Sequence, residues 1–185
     1  MTTPKSFYAA LAVILIAALG AQPTTLPLVH LAGALDKPGD WGADRIKTEL
    51  ASSMKPVTYI SHGAQHSSNC VPLVSLLQAA GTNTALKMGP TMDPKTKNYA
   101  LRLIVLVQGN DGYTVTFSLA ELLPNIGGRS AWLTLDQDGQ PLAAKDGPVR
   151  LIVPDDGMPA RWVHAVSEIR IIDPTAPEST TQPSN

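Results

Sequence analysis

The alternation of apolar and polar residues predicts a series of short strands in the middle of the chain. Between residues 113 and 119, apolar side chains alternate with Thr and Ser, the pattern typical of a half-exposed strand. Residues 101–107 are almost continuously apolar, which predicts a strand covered on both faces. Segments rich in Gly, Asp and Pro predict turns, and the polar segment 86–98 predicts a loop. Further strands are predicted at residues 28–35, 57–61, 131–135, 149–153 and 166–172, with a tight turn at 136–139.

Helical periodicity is confined to two segments. In residues 40–52, Ala43, Ile46 and Leu50 fall on one face, and in residues 71–80 the apolar positions 73, 76, 77 and 80 form one stripe that Gly81 caps. A Ser-x-x-Glu spacing that begins at Ser118 predicts a third, short helical turn. The sequence therefore predicts an α+β fold that is mostly β, with two or three short helices.

The two ends of the chain differ from its middle. Lys5, an apolar stretch at residues 7–19 and small residues at 18–21 predict a signal peptide over residues 1–21. The apolar stretch is shorter than the roughly 20 residues that cross a bilayer, so a retained membrane anchor is the less favoured alternative. Residues 174–185 are polar and Pro-rich and predict a disordered tail, which leaves a folded domain at residues 26–173. We therefore expect a periplasmic or secreted protein with no stable membrane insertion after signal cleavage.

Composition narrows the classes of function. The chain has 185 residues, of which 44% are hydrophobic and 16% charged, so it can form a packed core. Its formal net charge is −1, so it has no excess of basic residues for binding nucleic acid. Its single cysteine excludes an intrachain disulfide framework and a zinc site built from several thiolates.

A His-x3-His-x3-Cys spacing joins His62, His66 and Cys70. On a helix this spacing would place all three side chains on one face, where they could bind zinc or copper. The intervening residues are turn formers, which favours the alternative, three polar residues in a surface loop, and no metal site is assigned.

Two arginines lie in otherwise apolar segments. Arg150 and Arg161 each need a negatively charged or carbonyl partner there, and the alternatives are a structural ion pair with Asp146 or Glu168 or an exogenous anion. The acidic pair at residues 155–156 lies in a proline-bounded turn and is expected to be solvated.

Four segments carry a resemblance to a known family. They are V-P-L-V-S-L-L-Q-A-A-G at 71–81, D-G-Y followed by S-L-A-E-L at 111–122, D-G-Q-P-L at 138–142, and G-P-V-R-L-I-V-P at 147–154 with R-W-V at 161–163. In order and spacing, over about 100 residues, they resemble the molybdopterin-binding domain of the sulfite-oxidase family, in its small, stand-alone, secreted version. The resemblance implies that fold, and it implies molybdopterin as the candidate cofactor.

The resemblance also implies a cysteine thiolate that binds molybdenum, in a loop after the strand that precedes the Val-Pro-Leu helix. Here that strand is residues 57–61, and the chain continues with Ser61, His62 and Gly63, without a cysteine. Cys70 stands where the family has a glycine before the helix, so we interpret it as a replacement of that glycine. A hydroxyl or an imidazole does not replace a soft thiolate at such a centre.

Two classes of function follow. The first is a non-catalytic exported domain that binds a small anionic ligand or an envelope protein partner through Ser61, His62, Arg150 and Arg161. The second is a molybdopterin-dependent oxidoreductase subunit with an atypical metal ligand, carrying out oxygen-atom or electron transfer. A further alternative is a domain that packs against a membrane protein through an exposed aromatic patch of Tyr113, Trp132 and Trp162. Burial of these three rings in the core would exclude such a patch.

Overall fold

The computed structural model describes residues 28–86, 93 and 97–176, and its strands form two main sheets and a small hairpin. The strands are β1 (Val29–Gly33), β2 (Gly39–Trp41), β3 (Lys55–Ser61), β4 (Ala64–Pro72), β5 (Ile104–Gly109), β6 (Thr114–Ser118), β7 (Trp132–Thr134), β8 (Asp136–Gln137), β9 (Gln140–Pro141), β10 (Arg150–Ile152) and β11 (Val166–Ile172). The α-helices are α1 (Ala43–Glu49), α2 (Leu73–Ala79) and α3 (Leu119–Leu122), and 3₁₀ turns cover Ala51–Ser53, Tyr99–Arg102 and Pro159–Arg161.

The sheets differ in strand order and direction. The first has five strands in the order β2-β1-β11-β5-β6, and only its central pair, β1 and β11, runs parallel. The second has four antiparallel strands in the order β10-β7-β4-β3. Strands β8 and β9 form a separate two-stranded hairpin.

One connected core joins the two sheets and the helices. Leu31 of β1, Leu133 of β7 and Ile169 of β11 are all fully buried and belong to the same apolar cluster. Helix α2 adds Leu73, Leu76 and Leu77, and removing such side chains from water is the main force that stabilises the fold.

The fold class predicted from the sequence is confirmed: the chain is α+β, mostly sheet, with three short helices. Strand β6 alternates between exposed and buried residues as expected, with Val115 and Phe117 inside. The helix predicted at 71–80 is α2, followed by Gly81 at a positive φ of 83°. Ser118 caps α3, since its hydroxyl accepts a hydrogen bond from the backbone N–H of Ala120.

The largest error of the sequence prediction lies between Gly63 and Cys70. The turn formers there predict a loop, but the residues form β4, which pairs with β3 over seven positions and with β7 over three. The pairing satisfies the backbone of β4 on both sides, and this outweighs the low strand propensity of Gln, Ser and Asn.

Smaller differences concern the ends of elements. The strand predicted at 101–107 begins only at Ile104, because a 3₁₀ turn takes up Tyr99–Arg102. The helix predicted at 40–52 divides: Asp40 and Trp41 pair with β1, and the helix proper is α1.

The predicted signal peptide, most of the 86–98 loop and all but the first residues of the predicted tail lie outside the described residues. Within the described part, no helix has the length and apolar character needed to cross a membrane.

Candidate functional site

A cavity of about 470 Å³ opens at one end of the four-stranded sheet. Five of its lining side chains are positively charged or become so on protonation: His62, His66, Lys145, Arg150 and His164. The cavity lies within the range of about 300–1,000 Å³ that is typical of small-ligand sites.

The hairpin of β3 and β4 supplies one wall. His62 and Gly63 form its two-residue turn, both with positive φ (52° and 78°), as in the hairpin turns that match strand twist. Ser61 ends β3, and its hydroxyl lies 3.0 Å from Nδ1 of His62. His66 follows on β4.

The other walls come from distant parts of the chain. Asp111 lies in the β5–β6 turn, Gln137 on β8, Asp146 before β10, and His164 between β10 and β11. The topology of the two sheets therefore assembles this site from five separate segments.

Arg150 is the most unusual side chain of the cavity. It is only 3% exposed, and both of its hydrogen bonds come from Nη2 to neutral oxygens, at 2.6 Å to Tyr59 Oη and 3.1 Å to Gln137 Oε1. Its Nε is buried without a partner. Among the described residues, no carboxylate lies within 4.0 Å of the guanidinium. The guanidinium thus lies in a buried position without a carboxylate partner.

Aromatic and polar contacts hold Arg150 in place. Its guanidinium carbon lies 5.4 Å from the ring centre of Tyr59 and 5.9 Å from that of Trp162, and these two rings meet edge to face at 5.4 Å. The Tyr59 hydroxyl also lies 3.0 Å from Ser68 Oγ and donates to Gln137 Oε1 at 3.2 Å. The guanidinium is therefore fixed in orientation before any ligand arrives.

Two of the histidines are held by carboxylates. Nδ1 of His66 lies 2.7 Å from Asp138 Oδ2, and Nδ1 of His164 lies 2.7 Å from Asp146 Oδ1. The hydrogen bond from His66, followed by that from the backbone N–H of Ser67, lowers the pKa of Asp138 below its ordinary value. In both histidines the carboxylate occupies Nδ1, which leaves Nε2 as the free ring nitrogen.

The chain shares its fold with a sulfane dehydrogenase. The crystal structure of the sulfane dehydrogenase SoxCD from Paracoccus pantotrophus matches with a TM-score of 0.53 and 18% identity, over 80% of this chain. The match spans 38% of that protein's chain. No protein-family model matches the sequence, and no curated protein matches it. At this identity the likeness concerns the fold alone, and at that level it supports the resemblance found in the sequence motifs.

The lone thiol does not fit the metal centre that this resemblance implies. Cys70 is fully buried on β4, does not line the cavity, and donates to the carbonyl of Ser68 at 3.6 Å. Burial raises the pKa of its thiol to about 12, and from this buried position the sulfur does not reach a group held in the cavity. The donors around the cavity are hydroxyl, imidazole, guanidinium and carboxylate groups, and they do not replace a thiolate–molybdenum bond.

The His62, His66 and Cys70 motif is also not arranged as one metal site. Four residues of a strand span about 13 Å, so His66 and Cys70 lie too far apart to share an ion. Throughout residues 28–86, 93 and 97–176, no three His, Cys, Asp or Glu side chains are grouped to hold a metal. The surface-loop alternative holds only for His62, in the hairpin turn, and is wrong for His66 and Cys70, which belong to β4.

The structure brings together three of the four predicted site residues. Ser61, His62 and Arg150 line the same cavity, and their role in binding stays a prediction. Arg161 lies elsewhere: it forms a two-pronged ion pair with Asp156 at 2.7 and 2.8 Å and a second pair with Glu121 at 3.3 Å.

This arrangement corrects two expectations from the sequence. Neither arginine pairs with Asp146 or Glu168, because His164 and Arg170 bind those carboxylates. Asp156 is not solvated: the hydrogen bond from Arg161 lowers its pKa, and its side chain is 15% exposed.

Sequence reasoning missed five members of the site: Asp111, Gln137, Lys145, Asp146 and His164. His164 directly follows the Arg-Trp-Val motif, and Asp146 directly precedes the Gly-Pro-Val-Arg motif. Their proximity to these motifs was the available signal. Of the two alternatives for the aromatic residues, burial holds for Trp162, which is 9% exposed, and in part for Trp132, which packs against the core, whereas Tyr113 is 48% exposed.

A larger cavity of about 530 Å³ lies against α2 and β7. Lys55, Arg129 and Trp132 line it, but Arg129 already has a carboxylate partner, Asp156, at 3.3 Å. None of the four predicted site residues lines this cavity. The smaller cavity is therefore the better candidate, because its buried guanidinium, that of Arg150, has no carboxylate within 4.0 Å among the described residues.

Proposed function

We propose that this chain is a non-catalytic domain that binds a small oxyanion, or the oxyanion group of a larger ligand, at the cavity beside Arg150. The observation that carries the proposal is the guanidinium of Arg150, 3% exposed and paired only with neutral oxygens. A buried ion costs several kcal/mol unless an opposite charge and further hydrogen bonds accompany it. A bound oxyanion supplies both.

The chemistry of the neighbouring groups supports the same ligand class. A guanidinium is planar and presents its donors in a fixed fork that matches the oxygens of carboxylate, phosphate and sulfate groups. Lys145 adds a further N–H donor to the lining, and the histidines of the cavity add N–H donors when their rings are protonated. Tyr59 and Gln137 hold the guanidinium in place, so little ordering is needed on binding.

The non-catalytic part of the proposal depends on Cys70. The fold likeness favours the alternative class, a molybdopterin-dependent oxidoreductase subunit, but the thiol is fully buried on β4 and lies outside the cavity. Export to the periplasm or the medium, and an envelope protein partner, remain predictions from the sequence.

Titration with sodium sulfate or inorganic phosphate against sodium chloride of equal ionic strength tests anion binding. We expect a saturable rise in Tm and a calorimetric binding isotherm for the wild type. Sulfate and phosphate also stabilise proteins without a site, so variants must separate the two effects. Arg150→Met should abolish the saturable part. The matched control is Arg170→Met on β11, an exposed arginine paired with Glu168, which should leave the isotherm unchanged.

Equal isotherms for the wild type and Arg150→Met would overturn the proposal. The molybdenum content of protein purified from its native source tests the alternative class. Stoichiometric molybdenum bound with a dithiolene absorbance would replace the non-catalytic assignment, and its absence from an anion-binding protein would support it.

A further inference from the structure

Resting on the proposed anion site, we infer that binding at this cavity is coupled to proton uptake by His66 and His164. The cavity would then hold an oxyanion tightly in mildly acidic surroundings and release it as the pH rises. The argument depends on where the histidines lie, which of their nitrogens are occupied and which fixed charges surround them.

Histidine is concentrated at this site. The whole chain has four histidines, and three of them line this one cavity. The fourth, His30, lies on β1 in the other sheet, where its Nδ1 is 2.8 Å from Asp40 Oδ1. His30 therefore has the same kind of carboxylate partner as His66 and His164 without the cavity.

The carboxylate partners decide what the free nitrogen of each ring does. When Nδ1–H donates to Asp138 or Asp146, the neutral ring of His66 or His164 carries no proton on Nε2. An unprotonated Nε2 is a hydrogen-bond acceptor and offers nothing to an anion. When the ring takes up a proton, Nε2–H becomes a charge-assisted donor. Each ring thus changes from an unfavourable to a favourable neighbour of an oxyanion.

The fixed charges of the cavity make this change decisive. Arg150 and Lys145 supply two basic groups to the lining and Asp111 and Asp146 two acidic ones, and Asp138 adds a third carboxylate beside His66. Each protonated histidine adds one positive charge to the lining. Protonation of both rings therefore makes the charge around the cavity more positive by two, and an anion is attracted more strongly.

Other charged or titratable groups face the two rings from neighbouring elements. His66 meets Asp138 from the β8–β9 turn and the Tyr59 ring from β3, at 5.8 Å between ring centres. Asp136, on β8, accepts from the backbone of Asn69 on the same strand as His66. His164 meets Asp146, and it lines the cavity together with Asp111 and Lys145. Of these residue types, histidine is the one whose unperturbed charge change falls between about pH 5 and about 8.

The test is a calorimetric titration of the full chain with sodium sulfate at several pH values between about 5 and about 8, where the free imidazole titrates. Sulfate keeps its two negative charges over this range, so a change in affinity reports on the protein. We expect the Kd to rise with pH, by up to about tenfold per pH unit for each proton taken up. Repeating the titration in buffers of different ionisation enthalpy gives the number of protons taken up, which should be greater than zero.

Variants assign the protons to residues. His66→Gln and His164→Gln should each reduce the proton uptake and flatten the rise of Kd with pH, and the double variant should remove at least half of the uptake. His30→Gln is the matched control and should leave both quantities unchanged.

The outcomes separate the inference from the function on which it rests. Sulfate binding with the same Kd at every pH and no proton uptake would overturn the coupling and leave the anion site standing. The same holds for a pH dependence that persists unchanged in the double variant. If neither sulfate nor phosphate binds at any pH, the anion site itself is wrong.

Discussion

Replacing Arg150 by methionine tests whether this side chain serves binding or stability. Methionine has a similar length and is apolar, so it fills the space of the arginine stem without its charge. The substitution leaves no orphaned group behind: the Tyr59 hydroxyl keeps its contacts with Ser68 Oγ at 3.0 Å and Gln137 Oε1 at 3.2 Å.

The expected magnitude follows from the contacts of the guanidinium. Its two hydrogen bonds contribute about 1.5–3 kcal/mol each, as bonds from a charged donor. Against them stands a desolvation cost of several kcal/mol for an ion that is buried without a carboxylate. Methionine adds an apolar side chain worth about 1.5–3 kcal/mol when buried. We therefore expect Arg150→Met to change the free energy of unfolding by between about 0 and +2 kcal/mol, in the stabilising direction. For a chain of this size, each kcal/mol corresponds to about 2–4 °C in Tm.

Urea unfolding monitored by tryptophan fluorescence and circular dichroism measures this change in the absence of sulfate and phosphate. A stable variant that no longer binds sulfate would show that the arginine is kept for its ligand. A loss of more than about 2 kcal/mol would refute the reasoning, because the guanidinium would then be a structural clamp that the fold requires.

Three further predictions concern other parts of the molecule. Asp156→Asn leaves Arg161 with Glu121 as its carboxylate partner and should lower the free energy of unfolding in urea by about 1–3 kcal/mol. The control, Asp155→Asn at the exposed neighbour, should change it by less than about 0.5 kcal/mol. Equal effects of the two substitutions would contradict a structural role for the ion pair. A hydrogen bond from the Thr175 hydroxyl lowers the pKa of Asp173 to about 2, below the free value of about 3.9. The ionised carboxylate of Asp173 therefore stabilises the folded chain above about pH 4, and this contribution is lost as the pH falls towards 2. Asp173→Asn should therefore flatten the curve of stability against pH in that window, and an unchanged curve would rule the contribution out. Burial raises the pKa of the Cys70 thiol to about 12, so a thiol reagent at about pH 8 should label the native chain very slowly. The unfolded chain should react with one equivalent of the reagent. Rapid labelling of the native chain would show that the thiol reaches the surface.

The fold class and several elements were predictable because their signals are local. The alternation in β6 and the apolar stripe of α2 each arise within one segment, where the period of side-chain burial identifies the element. Ser118 at the start of α3 acts over two residues of the chain. Such patterns need no knowledge of what packs against the segment.

Strand β4 could not be predicted because its stability comes from its neighbours. Its polar residues resemble a loop, and only pairing with β3 on one side and β7 on the other makes them a strand. The same pairing places His66 on the cavity and holds Cys70 away from it. A spacing that would bring His66 and Cys70 together on one face of a helix therefore separates them along a strand.

The partners of the two arginines were likewise decided by tertiary structure. The sequence shows that Arg150 and Arg161 lie in apolar surroundings and need partners, but it does not show which groups arrive from elsewhere. Asp156, five residues before Arg161, neutralises that side chain, while β3 and β8 bring only neutral oxygens to Arg150. Local sequence thus determined that Arg150 and Arg161 lie in apolar segments. The packing of distant strands decided that Arg150 is the one left without a carboxylate partner.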